Sequence, residues 1–462
     1  MVINKEPAKS IKKENIKINI LSLVFLLLGV FSTTPIITIK FLGNHISLFT
    51  LLFFVATLLI SILFIKRMKI TIGKTSKLLV LWLVLSIFST LFGILFFYND
   101  YPEWATTAQS YLPKIMIYIY FIFMLSSTSH SKIIIESFIK GFIVGCVLNI
   151  LWSNVEGIVY YSLGFSLNNL VFNDYAVNVL VNRPYITGIY ADGIRTPGFN
   201  FDPVHMGGII PIILIYALKK KNNLVVLLCL TSLAFSQSTT GLVTSMMLLI
   251  IFYRNNIFKV LKVRSFKVRI SAFVTGIILM GILLIFTINF GTQIFNSIET
   301  NVSGFIARST NVYIRNEEPS IRTKYHLCLP NSIYFNGIKT LTGTGFGTAS
   351  FPYVFNDYVR AAIGIKTIKP YDPESVYISY LFDTGVFGLT VYLLFLWKII
   401  KILKRDRNNE TNFFLLASIM SIAIVGLFYH FTLAAYQILL FSMSCVWIDK
   451  ESFNSNNGIR TK

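Results

Sequence analysis

Charge is scarce in this chain. Only 13% of its 462 residues are charged, whereas a water-soluble domain carries about a quarter. Acidic residues are the rarer kind, with 20 Asp and Glu against 41 Lys and Arg. The chain also has no Walker A run, no GxGxxG opening a helix after a strand, no HExxH and no Cys/His cluster. Those absences exclude nucleotide-driven pumping and zinc chemistry, so neither a metal nor a cofactor is expected. Cysteine is sparse too. Cys146, Cys229 and Cys445 fall inside apolar runs and Cys328 stands alone in a polar segment. There is no disulfide framework.

What is abundant is apolar: 54% of residues are hydrophobic. Runs long enough to cross a bilayer core, about 20 helical residues, recur along the whole chain. The class is an all-α polytopic membrane protein. Candidate spans are residues 18–39, 46–65, 78–98, 111–125, 133–152, 204–218, 224–235, 242–253, 270–290, 376–399, 413–427 and 431–448, about 12 in all. The first run is too long for a signal-peptide core and lacks a cleavage site. The formal net charge of +21 looks like a nucleic-acid footprint, but its distribution says otherwise. With residues 1–17 in the cytoplasm and every span crossing once, the cytoplasmic segments hold 28 of the 41 Lys and Arg. That is positive-inside topology with membrane lipids as the partner and no nucleic acid. The topology puts a cytoplasmic tail at 449–462 and two long segments outside. One is a loop over 153–203 after the fifth span; the other is a large, partly helical loop over 291–375 between the ninth and tenth. The stretch 224–253 reads either as one long helix or as two short spans meeting at Ser236-Gln237-Ser238-Thr239-Thr240-Gly241. Two spans keep the six cations of 254–269 inside.

Chemistry concentrates where the long loops meet the membrane. In Arg195-Thr196-Pro197-Gly198-Phe199-Asn200-Phe201-Asp202-Pro203, the Arg fork suits phosphate oxygens. Asp202 either contacts substrate or caps the helix that Pro203 opens. In Asp372-Pro373-Glu374-Ser375-Val376-Tyr377, a partly desolvated Glu374 at a helix mouth suits a general base; an N-terminal charge cap is the plainer reading. Asp383, deeper on the same helix, must face protein or water, because a carboxylate against lipid costs roughly 2.5–3.5 kcal/mol. The large loop carries an excess of cations, among them Arg308, Arg322 and Arg360, which a diphosphate or acidic sugar would explain.

These two stretches resemble the O-antigen ligase and polymerase superfamily of bacterial membrane glycosyltransferases. The resemblance lies in Arg195, Gly198, Asp202 and Pro203, and in Glu374-Ser375-Val376-Tyr377-Ile378 running into a helix with Gly385 and Gly388. Ligases of that superfamily have His where this chain has Glu374, so the resemblance leans to the polymerase (Wzy-type) branch. Many relatives also carry an Arg in the turn where this chain has Gln237-Ser238-Thr239. The resemblance implies an inner-membrane, GT-C-like enzyme working at the periplasmic face. It would move a growing glycan from undecaprenyl diphosphate onto a lipid-linked repeat unit, with both donor and acceptor as lipid-linked oligosaccharides. In that scheme Glu374 and Arg195 are catalytic. Asp202, Arg308, Arg322, Arg360, Tyr377 and Asp383 bind substrate, and a chain-length-determinant membrane protein is a partner. Ligation to lipid A–core is the alternative within the superfamily. A transporter of lipid-linked oligosaccharides is the alternative outside it, although the two halves show no internal repeat.

Overall fold

The computed structural model describes residues 6–41, 44–64, 72–96, 102–178, 188–190, 193–200, 203–262, 314–315, 318–319, 341–348, 375–429 and 435–456. The ninth expected span, 270–290, lies outside them. The described residues form twelve helices and three short β-hairpins. Five helices are long and apolar enough to cross a membrane, and four shorter apolar ones accompany them. Large apolar side chains stand exposed on these helices, among them Ile62, Phe88, Met116, Phe387 and Trp397. In a multi-pass membrane protein such side chains face lipid.

The first of two compact units comprises residues 1–146 and 313–462. It holds α1 (Glu6–Ser32), β1 (Thr38–Phe41), β2 (Asn44–Ser47), α2 (Leu48–Phe64), α3 (Lys74–Phe96), α4 (Pro102–Ser127) and the start of α5 (Ser131–Leu163). Further along the chain it holds α10 (Val376–Arg405), α11 (Glu410–Phe428) and α12 (Ala435–Asn456). Lipid offers apolar helices no hydrophobic gain on pairing, so close packing through small residues takes over. Gly141 and Gly145, a GxxxG pair on α5, meet α1 at Leu26, Val30 and Thr33, and Gly29 of α1 meets Phe138 and Phe142. A Cβ at any of the three glycines would overlap backbone.

Between α3, α10 and α12 the core is aromatic. Trp82 lies 5.0 Å from Tyr380 and 5.2 Å from Tyr392, ring to ring, and Phe395 lies 5.3 Å from Phe441. At the start of α3, the Asp449 carboxylate accepts from the N–H groups of Thr75 (3.0 Å) and Ser76 (2.9 Å) and from the Ser76 hydroxyl (2.7 Å). A side chain of α12 thus caps α3, satisfying N–H groups that a helix start leaves open. Asp449→Ala should lower unfolding stability by about 1–2 kcal/mol, read as an earlier thermal transition of the detergent-solubilised protein. An unchanged transition would deny the cap any weight.

The second unit comprises residues 147–312. It holds the rest of α5, α6 (Leu167–Asn178), the hairpin β3 (Gly188–Tyr190) and β4 (Gly193–Arg195), then α7 (Pro203–Lys220), α8 (Asn223–Ser236) and α9 (Thr239–Lys262). Here the structure departs from the sequence reading in two places: α9 continues past residue 253 to Lys262, and the fifth span is longer than expected. The fifth span does not end at Trp152; α5 runs on to Leu163 and α6 follows within the supposed loop. Ser153, Asn154 and Glu156 interrupt the apolar run, but all three are buried and hydrogen-bonded, so the helix passes through them. The break between two short helices at 236–241 is present as expected. Gln237 takes a left-handed conformation (φ 46°), and α9 starts at Thr239.

Candidate active site

Arg195 ends β4, opposite Gly188 of β3. The next residue is fastened: the Thr196 N–H donates to the carbonyl of Phe235 in the last turn of α8 (3.1 Å). Directly after that turn, the Ser238 hydroxyl accepts from the N–H of Gly241 (3.1 Å) and caps α9. Gly207, in the second turn of α7, packs against Ser238 and Gly241 so closely that a Cβ on either glycine would collide. Arg195-Thr196, the first turns of α7 and the first turn of α9 therefore gather at one end of this unit. Each helix N-terminus carries about half a positive charge, so the arrangement suits an anion. The polar turn Gln237-Ser238-Thr239, which lacks the Arg of many relatives, lies beside this place and supplies a helix start there.

The second expected place opens at Ser375, whose hydroxyl donates to the Gly426 carbonyl (3.2 Å). The Tyr377 hydroxyl donates to the Ala423 carbonyl (2.7 Å). The first turn of α10 is thus tied to α11 by two side chains, with Glu374 adjacent in sequence. About two turns on, the helix breaks: Gly385 has φ 69° and ψ −177°. A non-helical residue inside a helix opens its hydrogen-bond ladder, and a turn formed by residues 341–348 fits against the opening. The carbonyl of Phe382 accepts from Thr344 N–H (2.8 Å), and that of Asp383 accepts from Gly345 N–H (3.0 Å) and from the Ser89 hydroxyl. The Asp383 side chain, 0% exposed, accepts from Thr348 N–H (2.9 Å), while Phe346 N–H donates to Thr90 Oγ1 of α3 (3.0 Å). Irregular backbone among membrane helices survives only where protein satisfies it, and the broken helix and the turn satisfy each other. Gly343-Thr344-Gly345-Phe346-Gly347 has the look of a phosphate-cradling loop, but its N–H groups at 344, 345 and 346 point to protein acceptors.

Of the residues singled out from sequence, Arg195 sits at the anion-suited end of one unit, while Tyr377 and Asp383 sit on α10 in the other. Glu374, Asp202, Arg308, Arg322 and Arg360 lie outside the described residues. The contacts of Asp383 given above run to the turn and to Ser89 of α3, which favours a supporting role. If that is its role, Asp383→Asn, which keeps an acceptor for Thr348, should yield folded protein near wild-type levels. Asp383→Leu strands that N–H at a cost of about 1–3 kcal/mol and should reduce the monodisperse peak in size-exclusion chromatography. Equal damage from both would show that the carboxylate itself is needed.

Sequence reasoning missed the turn at 341–348 and the polar face of α5. The GxGxG run was the available signal for the first. For the second it was Asn149, Ser153 and Glu156 at helical spacing.

No curated protein matches this sequence. Residues 224–393 match the family model described as O-Antigen ligase. That stretch takes in α8, α9, the turn and α10 as far as Leu393, and it begins after Arg195. Over these residues, somewhat more than a third of the chain, the protein is similar to that family.

Proposed function

We propose that the protein is a polymerase of O-antigen or a related surface polysaccharide. On this reading it has about twelve spans in the inner membrane, both termini in the cytoplasm and its active site on the periplasmic face. It transfers the growing glycan from undecaprenyl diphosphate to the terminal sugar hydroxyl of a lipid-linked repeat. Glu374 removes the proton from the acceptor hydroxyl, which attacks the anomeric carbon of the donor. The glycosyl–phosphate bond breaks, and the diphosphate leaves with the electron pair. Arg195 and the two helix starts beside it bind that diphosphate and stabilise its growing charge, with Arg308, Arg322 or Arg360 adding to it. Tyr377 helps orient a sugar. The lipid diphosphate supplies the driving force, so no nucleotide is consumed.

The observation that carries the reading is the fastening of the Arg195 loop, through Thr196, to the end of α8 directly before the start of α9, in a chain whose residues 224–393 match the O-antigen ligase family. The family match serves polymerase and ligase equally; the Glu in place of the ligase His favours the polymerase. A strain lacking only this protein should show surface glycan collapsed to core with at most one repeat, restored by the wild-type protein. Bare core with long polymer accumulating on undecaprenyl diphosphate would instead identify a ligase. A transporter would block elongation only in intact membranes.

A further inference from the structure

The face of α5 toward the Arg195 loop is polar at consecutive helical positions: Asn149, Trp152, Ser153 and Glu156. Asn149, Ser153 and Glu156 are wholly buried. Placing a carboxylate inside a membrane protein is costly, and an apolar side chain would fill the same volume without that cost. The geometry points to a use for it.

We propose that Glu156 is a positioning residue for Arg195, acting through α6; the inference rests on the reading of Arg195 as a diphosphate ligand. Its two oxygens accept from the Ser166 hydroxyl (2.6 Å) and from the N–H of Asn168 (3.0 Å), at the first turn of α6. A carboxylate there is favoured by the open N–H groups and by the helix dipole. Asn168, so held, reaches both ways. Its Oδ1 accepts from the Trp152 indole (2.6 Å), and its Nδ2 donates to the carbonyl of Gly198 (3.4 Å). The Trp152 ring stacks on Phe199 at 4.9 Å and 19°, and Phe172 of α6 stands edge-on to Phe199 at 6.3 Å.

From the α5 side, Asn149 Oδ1 accepts from the N–H of Phe199 (2.8 Å) and from Asn200 Nδ2 (3.0 Å), and the Ser153 and Thr196 hydroxyls are bonded at 2.5 Å. The stretch that follows Arg195 is thereby gripped at Thr196, Gly198, Phe199 and Asn200. Gly198, at φ 62°, has no room for a Cβ beside Met206 and Asn149. α6 adds little to the core, since Leu170 and Val171 point outward. What it does bury is the link from Glu156 to the loop. A chain of directional bonds of this kind holds the backbone that follows Arg195 in place before any substrate arrives, and such preorganisation raises affinity.

The test uses the full-length protein in nanodiscs, with geranylgeranyl diphosphate as the probe, and reads the dissociation constant and the thermal transition together. Glu156→Ala should weaken probe binding about tenfold. In an Arg195→Ala background it should weaken binding by less than about twofold, because the two residues serve one contact and couple in a double-mutant cycle. Glu156→Gln keeps one acceptor oxygen and should recover part of the loss. Where Glu156→Ala fails to fold, Asn168→Ala cuts the same link one step on, with the same expected pattern. Glu156→Ala that melts earlier but binds the probe like wild type overturns the inference, as do losses that multiply in the double variant. Arg195→Ala that binds like wild type overturns the reading of Arg195 itself, and this inference with it. A weakened Arg195→Ala beside an unaffected Glu156→Ala overturns the positioning role alone.

Discussion

Replacing Gly385 with alanine is expected to remove the folded protein from the membrane. At φ 69° and ψ −177° the residue sits in backbone space that is essentially reserved for glycine, and occupying it with a side chain costs about 1–3 kcal/mol before any contact is counted. Contact makes the substitution worse. A Cβ there would overlap the carbonyl of Leu341 and the amide of Gly343, so the turn at 341–348 would have to leave. Its departure would strip Asp383 and the carbonyls at the helix break of the partners that satisfy them, each worth about 1–3 kcal/mol when buried and unmade. The sum approaches the whole stability of an ordinary domain, about 5–15 kcal/mol. Immunoblots of membrane fractions and size-exclusion profiles should show Gly385→Ala depleted and aggregated. The neighbouring Gly388→Ala is the milder companion, because Gly388 is closest to the side chain of Thr384. Normal levels of monodisperse Gly385→Ala would mean that the break in α10 is not obligatory.

Glu374→Gln should leave the protein folded and stop elongation. The change keeps shape and removes the base, and general-base catalysis contributes typically 10²–10⁴-fold. Binding of the lipid-linked donor should be unchanged, since the proposed contact of Glu374 is to the acceptor hydroxyl. The expected signature is a loss in kcat of at least about a hundredfold with KM for donor near wild type. A full-length glycan ladder from the Glu374→Gln strain would remove Glu374 from the mechanism.

The helical frame was readable because a bilayer imposes one rule on every span: about 20 apolar residues with satisfied backbone. Polar side chains hide that rule when tertiary contacts satisfy them. Ser153, Asn154 and Glu156 read as the start of a loop, yet their partners Thr196, Leu228 and Ser166 lie 43, 74 and 10 residues away, and no local window contains the first two. The turn at 341–348 was hidden for the same reason. Its anchors Thr90 and Asp383 stand 256 and 35 residues from the N–H groups they receive, so its glycines alone did not say that it enters between helices. Arg195 stood out because an Arg among Pro and Gly beside a helix start has few structural uses. Its neighbours on α5 went unread, their one local trace being a period of three to four along that helix. Tyr377 stood out as an aromatic at a helix mouth, but its bond to the Ala423 carbonyl depends on how α11 packs, which composition does not encode.

The most direct test of the central claim is elongation by the purified protein. Reconstituted in liposomes with undecaprenyl-diphosphate-linked repeat units on the accessible face, and with no nucleotide sugar, it should convert single repeats into a ladder of lipid-linked oligomers. Undecaprenyl diphosphate should be released in step with each addition. Repeats that stay single, and that are transferred only when lipid A–core is added, would contradict polymerase activity and make the protein a ligase.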